Sequence, residues 1–158
     1  MGRVSIFIKN NIRLLIGAFV VIFIALIITS LILGQRSTKV LVNGETFTVT
    51  LAKTEKERQI GLSKTDKIGE NQGMLFIFEK ADYYPFWMKE MKFPIDIIYI
   101  NADKVTTVID NAKPITNADG NLEVYEPAEK SDKVLELKAG TAKKHSIKKG
   151  TSVKIENL

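Results

Sequence analysis

Gly73 to Asn101 (GMLFIFEKADYYPFWMKEMKFPIDIIYIN) is the densest apolar and aromatic run outside the N-terminal segment, and it leaves few folds open. It holds the single tryptophan, Trp87, together with Met74, Met88 and Met91. The pattern predicts short strands at residues 74–78, 86–89 and 95–100. Pro85 and Pro94 lack a donor N–H, so each suits a strand start or an edge better than a strand centre. Strands that are apolar on both faces belong in the middle of a sandwich or barrel, with the rest of the chain covering them.

The flanking sequence reads as further strands. Residues 38–42 and 45–51 are joined by Asn43-Gly44, whose tolerance of positive φ suits the type I′ turn of a hairpin. Phe47, Val49 and Leu51 alternate with Thr46, Thr48 and Thr50, as a half-buried strand requires. Thr54-Glu55-Lys56-Glu57 has the form of a capping box and opens a short helix over 55–62, followed by a polar loop over 63–72. Beyond the central run, residues 95–110 predict a second hairpin turning at 101–103. Residues 111–133 are turn-rich with one short strand at 122–125. A strand at 134–138, a turn or single helical turn at 140–144 and a closing strand at 151–156 complete the chain. Many short strands, one small helix and no βαβ rhythm predict a mainly β domain, a compact antiparallel sandwich or small barrel.

Residues 14–33 (LLIGAFVVIFIALIITSLIL) carry no charge. As a helix they would reach about 30 Å, the thickness of a hydrocarbon core. The run is longer than the apolar region of a cleaved signal peptide, which spans about 7–15 residues, and no small-x-small cleavage site follows it. The expectation is an uncleaved transmembrane helix with a short cytoplasmic tail at 1–13, a linker at 34–39 and a β-rich domain at 40–158. Arg3, Lys9 and Arg13 precede the span and only Arg36 and Lys39 closely follow it, which orients the N-terminus inward and the domain outside the cytoplasm. The remainder of the chain holds 20 of the 23 basic residues against 18 acidic ones, a balance that does not suggest nucleic acid. The chain has no Cys, so the domain has no disulfides and relies on its core.

The chemistry implied is sparse. A single His, His145, and no Cys exclude an ordinary structural zinc site. Phosphate-loop and dinucleotide-loop glycine patterns are absent, and no cofactor is implied. Three features remain. Arg58, turned inward by helical spacing, calls for a carboxylate, with Asp96 as first choice and Glu136 as second. Such a pair is structural or part of a site, since perturbed charges cluster at sites. Met88-x-x-Met91, near Met74, offers thioethers to Cu(I), but residues three apart on a strand face opposite ways, which favours core packing. Tyr83, Tyr84, Phe86 and Trp87 fill a core or stack on a sugar or peptide; the Trp87 expectation is burial.

Arg58-x-x-Gly61-Leu62, Gly73-Met74-Leu75-Phe76, Phe86-Trp87-Met88-Lys89, Pro94-x-Asp96-Ile97-Ile98, Leu135-Glu136-Leu137-x-Ala139-Gly140 and Gly150 closely resemble domain-of-unknown-function family 192. The resemblance runs from about Val40 to Ile155 and implies a compact, mainly β, often exported prokaryotic domain without an established activity. The chain departs from the common form after Lys89, where Glu90-Met91 stands in place of Asn-Thr. The functional expectation is a membrane-anchored, non-enzymatic binding or accessory module for an envelope ligand or a membrane protein partner, with Arg58, Asp96, Trp87, Met88 and Glu136 as binding residues. The alternatives are a carboxylate-based hydrolase using Asp96 and Glu136, and a Met-based copper protein.

Overall fold

The computed structural model describes residues 37–115 and 123–158, together with Ile12, residues 16–27 and Thr29. The chain divides into two units, Met1–Arg36 and Ser37–Leu158. In the first, residues 16–27 form a helix, α1, whose large apolar side chains such as Phe19 and Val21 are exposed. The ends of the expected 14–33 span lie outside the described residues, and no helix among the described residues is long and apolar enough to cross a membrane.

The second unit runs β1 (Thr38–Val42), β2 (Glu45–Ala52), α2 (Glu55–Ile60), β3 (Gln72–Asp82), β4 (Phe86–Trp87), β5 (Ile95–Asn101), β6 (Lys104–Ala112), β7 (Val124–Tyr125), β8 (Ser131–Lys138), α3 (Thr141–Lys144) and β9 (Val153–Glu156). The β1–β2 hairpin closes Val42 onto Glu45 with Asn43 and Gly44 at φ 48° and 85°, the mirror-image turn that matches strand twist. The expected linker ends early, because Thr38 and Lys39 already pair with Val49 and Thr48. The strand expected at 122–125 is reduced to Val124–Tyr125, and Leu122 lies outside the described residues.

Two features of the sheet differ from expectation. Among the described residues, seven strands form one sheet in the order β6-β5-β8-β3-β2-β1-β9, and β4 pairs with β7 separately. The sheet is mixed, because β2 and β3 run parallel. A parallel pair needs a crossover, and α2 with the loop behind it supplies one. The sheet also curls, so the sandwich alternative gives way to a partly closed barrel. At the free ends, Val105 N donates to Thr151 O at 2.9 Å and Val153 N to Asp103 O at 2.8 Å, joining the start of β6 to the approach to β9. Such closure occupies edge groups that would otherwise be open to pairing with another chain.

The curl separates two apolar clusters. One gathers Val40, Phe47, Leu75, Ile98, Leu135, Leu137 and Val153, with Ala142 of α3 and Ile147. The other lies across the opposite face of β3, β5 and β8 and gathers Phe76, Met88, Ile97, Tyr99 and Val134 beneath Leu62. Residues 95 to 100 are buried without a break, as a strand covered on both faces must be. Gly73 lets β3 approach β8 this closely. A Cβ there would stand 2.6 Å from the Glu136 carbonyl oxygen and 2.8 Å from a Leu137 methyl.

Candidate functional site

A cleft of about 280 Å³ opens over the second cluster, between α2 and its following turn on one side and residues 84–91 on the other. Its walls include Arg58, Phe76, Phe78, Phe86, Trp87 and Glu136.

The α2 wall starts from the capping box. The Thr54 hydroxyl accepts from Glu57 N at 3.2 Å, and Glu57 Oε2 accepts from Thr54 N at 2.8 Å and from Lys53 N at 2.9 Å. Those backbone donors hold the Glu57 carboxyl below the usual range. The helix ends at Gly61, φ 49°, where a Cβ would press on the Phe76 ring at 3.3 Å. Glycine here both turns the chain and leaves room for the cleft wall.

Arg58 does not meet Asp96. Its Nη1 donates to Ile77 O at 3.0 Å and to Lys53 O, and its guanidinium stands 5.1 Å from the centre of the Phe78 ring. Phe78 stacks on Tyr84 at 3.6 Å with 10° between planes, so cation and rings form one layered wall. The expected inward turn of Arg58 does not occur because α2 buries none of its residues; Arg58 is half-buried against the rim.

Asp96 is fully buried on the opposite face of the sheet. Its Oδ1 accepts from Asn111 N at 2.8 Å and Gly140 N at 3.0 Å, and its Oδ2 accepts from Ala142 N at 2.7 Å. Three backbone donors satisfy the carboxylate without a cation. It pins the left-handed Asn111 (φ 54°) and Gly140 (φ 85°) and the start of α3, which is a structural task.

Glu136 is the contrasting case. It pairs in register with Met74 of β3 and Ile97 of β5, so its side chain shares the cleft face. It is 6% exposed, and its Oε2 has no hydrogen-bond partner among the described residues. Burial alone pushes the carboxyl up to about 8, so near pH 7 it is mainly protonated. Beside it, the buried Tyr99 hydroxyl donates to Tyr125 O at 2.8 Å. Burial first, then the charges of Glu136 and Glu126, raises the Tyr99 pKa.

The aromatic set divides. Phe86 meets Phe76 edge to face at 5.0 Å and Tyr99 at 5.9 Å. Trp87, expected in the core, is 54% exposed at the cleft, because its two-residue strand pairs with β7 and lies outside the main sheet. Met88 is buried, and Met74 and Met91 pack against the same cluster. A turn allows this, with Glu90 at φ 59° and Met91 N donating to Met88 O at 3.3 Å. The strand geometry expected at 86–89 would have sent the two side chains apart. No group of three or more His, Cys, Asp or Glu among the described residues is placed to hold a metal ion.

A curled β-sheet domain carrying one aromatic cleft with a buried acid in its wall is the class that fold and site define. Residues 38–155 match the model of family 192 of the domains of unknown function, described as an uncharacterized ACR, and the chain belongs to that family. A protein of unknown function from Novosphingobium aromaticivorans is similar at 30% identity, covering 75% of this chain and 83% of that one with a TM-score of 0.66. A protein from Sinorhizobium meliloti, described as a candidate transcription regulator, is similar at 29% identity, covering 77% and 93% respectively with a TM-score of 0.66. No curated protein matches the chain.

Proposed function

We propose that this protein is a membrane-anchored, extracytoplasmic binding module, and that the cleft beside α2 captures a small ligand from the cell envelope. The single observation that carries the binding reading is the combination at one cleft of a half-exposed Trp87 and a buried, unpartnered Glu136. An aromatic face open to solvent and a polar atom without a partner are both unfavourable in an isolated fold, and both are relieved by a ligand. A volume near 280 Å³ suits a small molecule or one residue of a larger one. The anchoring reading rests on the uncharged run at 14–33 and the basic residues before it.

The hydrolase reading loses its acid–base pair, because Asp96 and Glu136 face opposite sides of the sheet. Trp87 is the only tryptophan, so its indole N–H resonance reports on the cleft alone. A screen of small amines, sugars and short peptides against the full-length protein is expected to move that resonance together with those of Phe86 and leave Val42, in the other cluster, unchanged. A screen in which the cleft never responds, or responds no more than Val42, refutes the binding reading. Protease added outside spheroplasts should digest the β domain; a mature N-terminus near Gln35 refutes the anchor.

A further inference from the structure

Glu136 has a carboxyl oxygen that no group among the described residues serves. Oε2 lacks a donor, and burial is the sole cause of its raised pKa, so neither Arg58 nor Lys89 offsets its charge although both line the cleft. Arg58 is held away by the Lys53 and Ile77 carbonyls and by Phe78. Titratable groups around this part of the cleft include Tyr99, whose hydroxyl is committed to Tyr125 O, Glu126, which acts with Glu136 on Tyr99, and Glu55 at the cleft. None supplies a cation. Phe76, Phe78, Tyr84, Phe86 and Trp87 also line the cleft, and aromatic rings attract positive charge to their faces through the quadrupole. Arg58 over Phe78 shows one such contact already made.

We propose that the cleft recognises a protonated amine, whose N–H donors pair with the Glu136 carboxylate while Phe76, Phe86 and Trp87 enclose the adjoining carbon chain. This rests on the small-ligand reading above and names the chemistry of the ligand. Binding is coupled to a proton. In the empty cleft Glu136 carries one near neutral pH, and pairing with an ammonium releases it to solvent. Amine affinity therefore rises with pH up to the carboxyl's own titration, while alkyl amines remain protonated to about pH 10.

The test uses the full-length protein, the Trp87 indole resonance and three probes of one skeleton: butylamine, butanol and butyrate. Butylamine is expected to bind at least tenfold more tightly at pH 8 than butanol or butyrate. Its affinity should climb about fifty-fold between pH 6 and pH 8, following the ionised fraction of Glu136. Glu136→Gln keeps the shape and removes the charge, and it should cost at least tenfold in butylamine affinity at pH 8 and flatten the pH dependence. The proposal is overturned if butanol matches butylamine, if the wild-type affinity does not change with pH, or if Glu136→Gln binds the amine unchanged. In the first of these cases the cleft still binds and the wider reading stands. If none of the probes moves the indole, the amine proposal falls, and the wider screen decides whether the cleft binds at all.

Discussion

Asp96 on β5 stands opposite Leu137, one position beyond Glu136 on the neighbouring β8, so the two buried carboxyls face opposite sides of one sheet. Among the described residues, one carboxyl is met by three backbone donors, and the other has an oxygen with none. That difference assigns Asp96 to structure and Glu136 to the cleft, and it sets the expected behaviour of each.

Asp96→Asn replaces an acceptor oxygen with an amide that donates, aimed at backbone N–H groups. The loss is expected to be about 2–4 kcal/mol, because buried donors are left without acceptors. Urea denaturation of the full chain measures it. A loss below about 1 kcal/mol would contradict the three-donor arrangement.

Glu136 carries the opposite pH signature to a salt-bridged acid. Its folded pKa, about 8, lies above the ordinary 4.5, so the folded state holds the proton more tightly. Stability is therefore fully present below pH 4.5 and declines as pH rises through about 8. The full effect is at most on the order of 5 kcal/mol. Glu136→Gln should remove this decline, making the variant more stable than the parent at pH 9. Thermal melts from pH 5 to pH 9 test the sign.

Trp87→Ala and Phe76→Ala should separate sharply. Trp87 is half-exposed, so truncation is expected to cost about 1 kcal/mol or less. Phe76 is fully buried, and losing its ring should cost about 3–5 kcal/mol. Similar losses for both would mean that the β4–β7 ribbon is integral to the core.

Gly73→Ala forces a Cβ to within 2.6 Å of the Glu136 carbonyl oxygen, which is backbone and cannot swing aside. The strands must separate, at a cost of about 1–3 kcal/mol or more. Gly44→Ala meets no atom within 4 Å but sits at φ 85°, so its cost is confined to the turn. Gly73→Ala should be the more damaging change when the two are melted side by side.

Arg58→Met and Asp96→Asn should show coupling near zero in a double-mutant cycle, because they share no partner. Coupling above about 1 kcal/mol would place the two in one network.

Local chemistry in the sequence determined the elements of this protein. Asn43-Gly44 specified the first hairpin, Thr54-x-x-Glu57 specified the start of α2, and the run at 95–100, apolar on both faces except for Asp96, specified a strand covered on both faces. These depend on contacts a few residues apart, or on burial that alternation already encodes. Long-range partners decided the rest. Whether β2 and β3 run parallel depends on where the chain returns after α2, which no local pattern states. Trp87 lies in the richest aromatic run, yet its exposure follows from β4 pairing with β7 rather than entering the main sheet. Asp96 and Glu136 each sit among apolar neighbours in sequence and could not be told apart there. Only the fold decided that Asn111, Gly140 and Ala142 would converge on the first, while no donor reached Oε2 of the second, because hydrogen-bond satisfaction is set by groups brought together from distant parts of the chain.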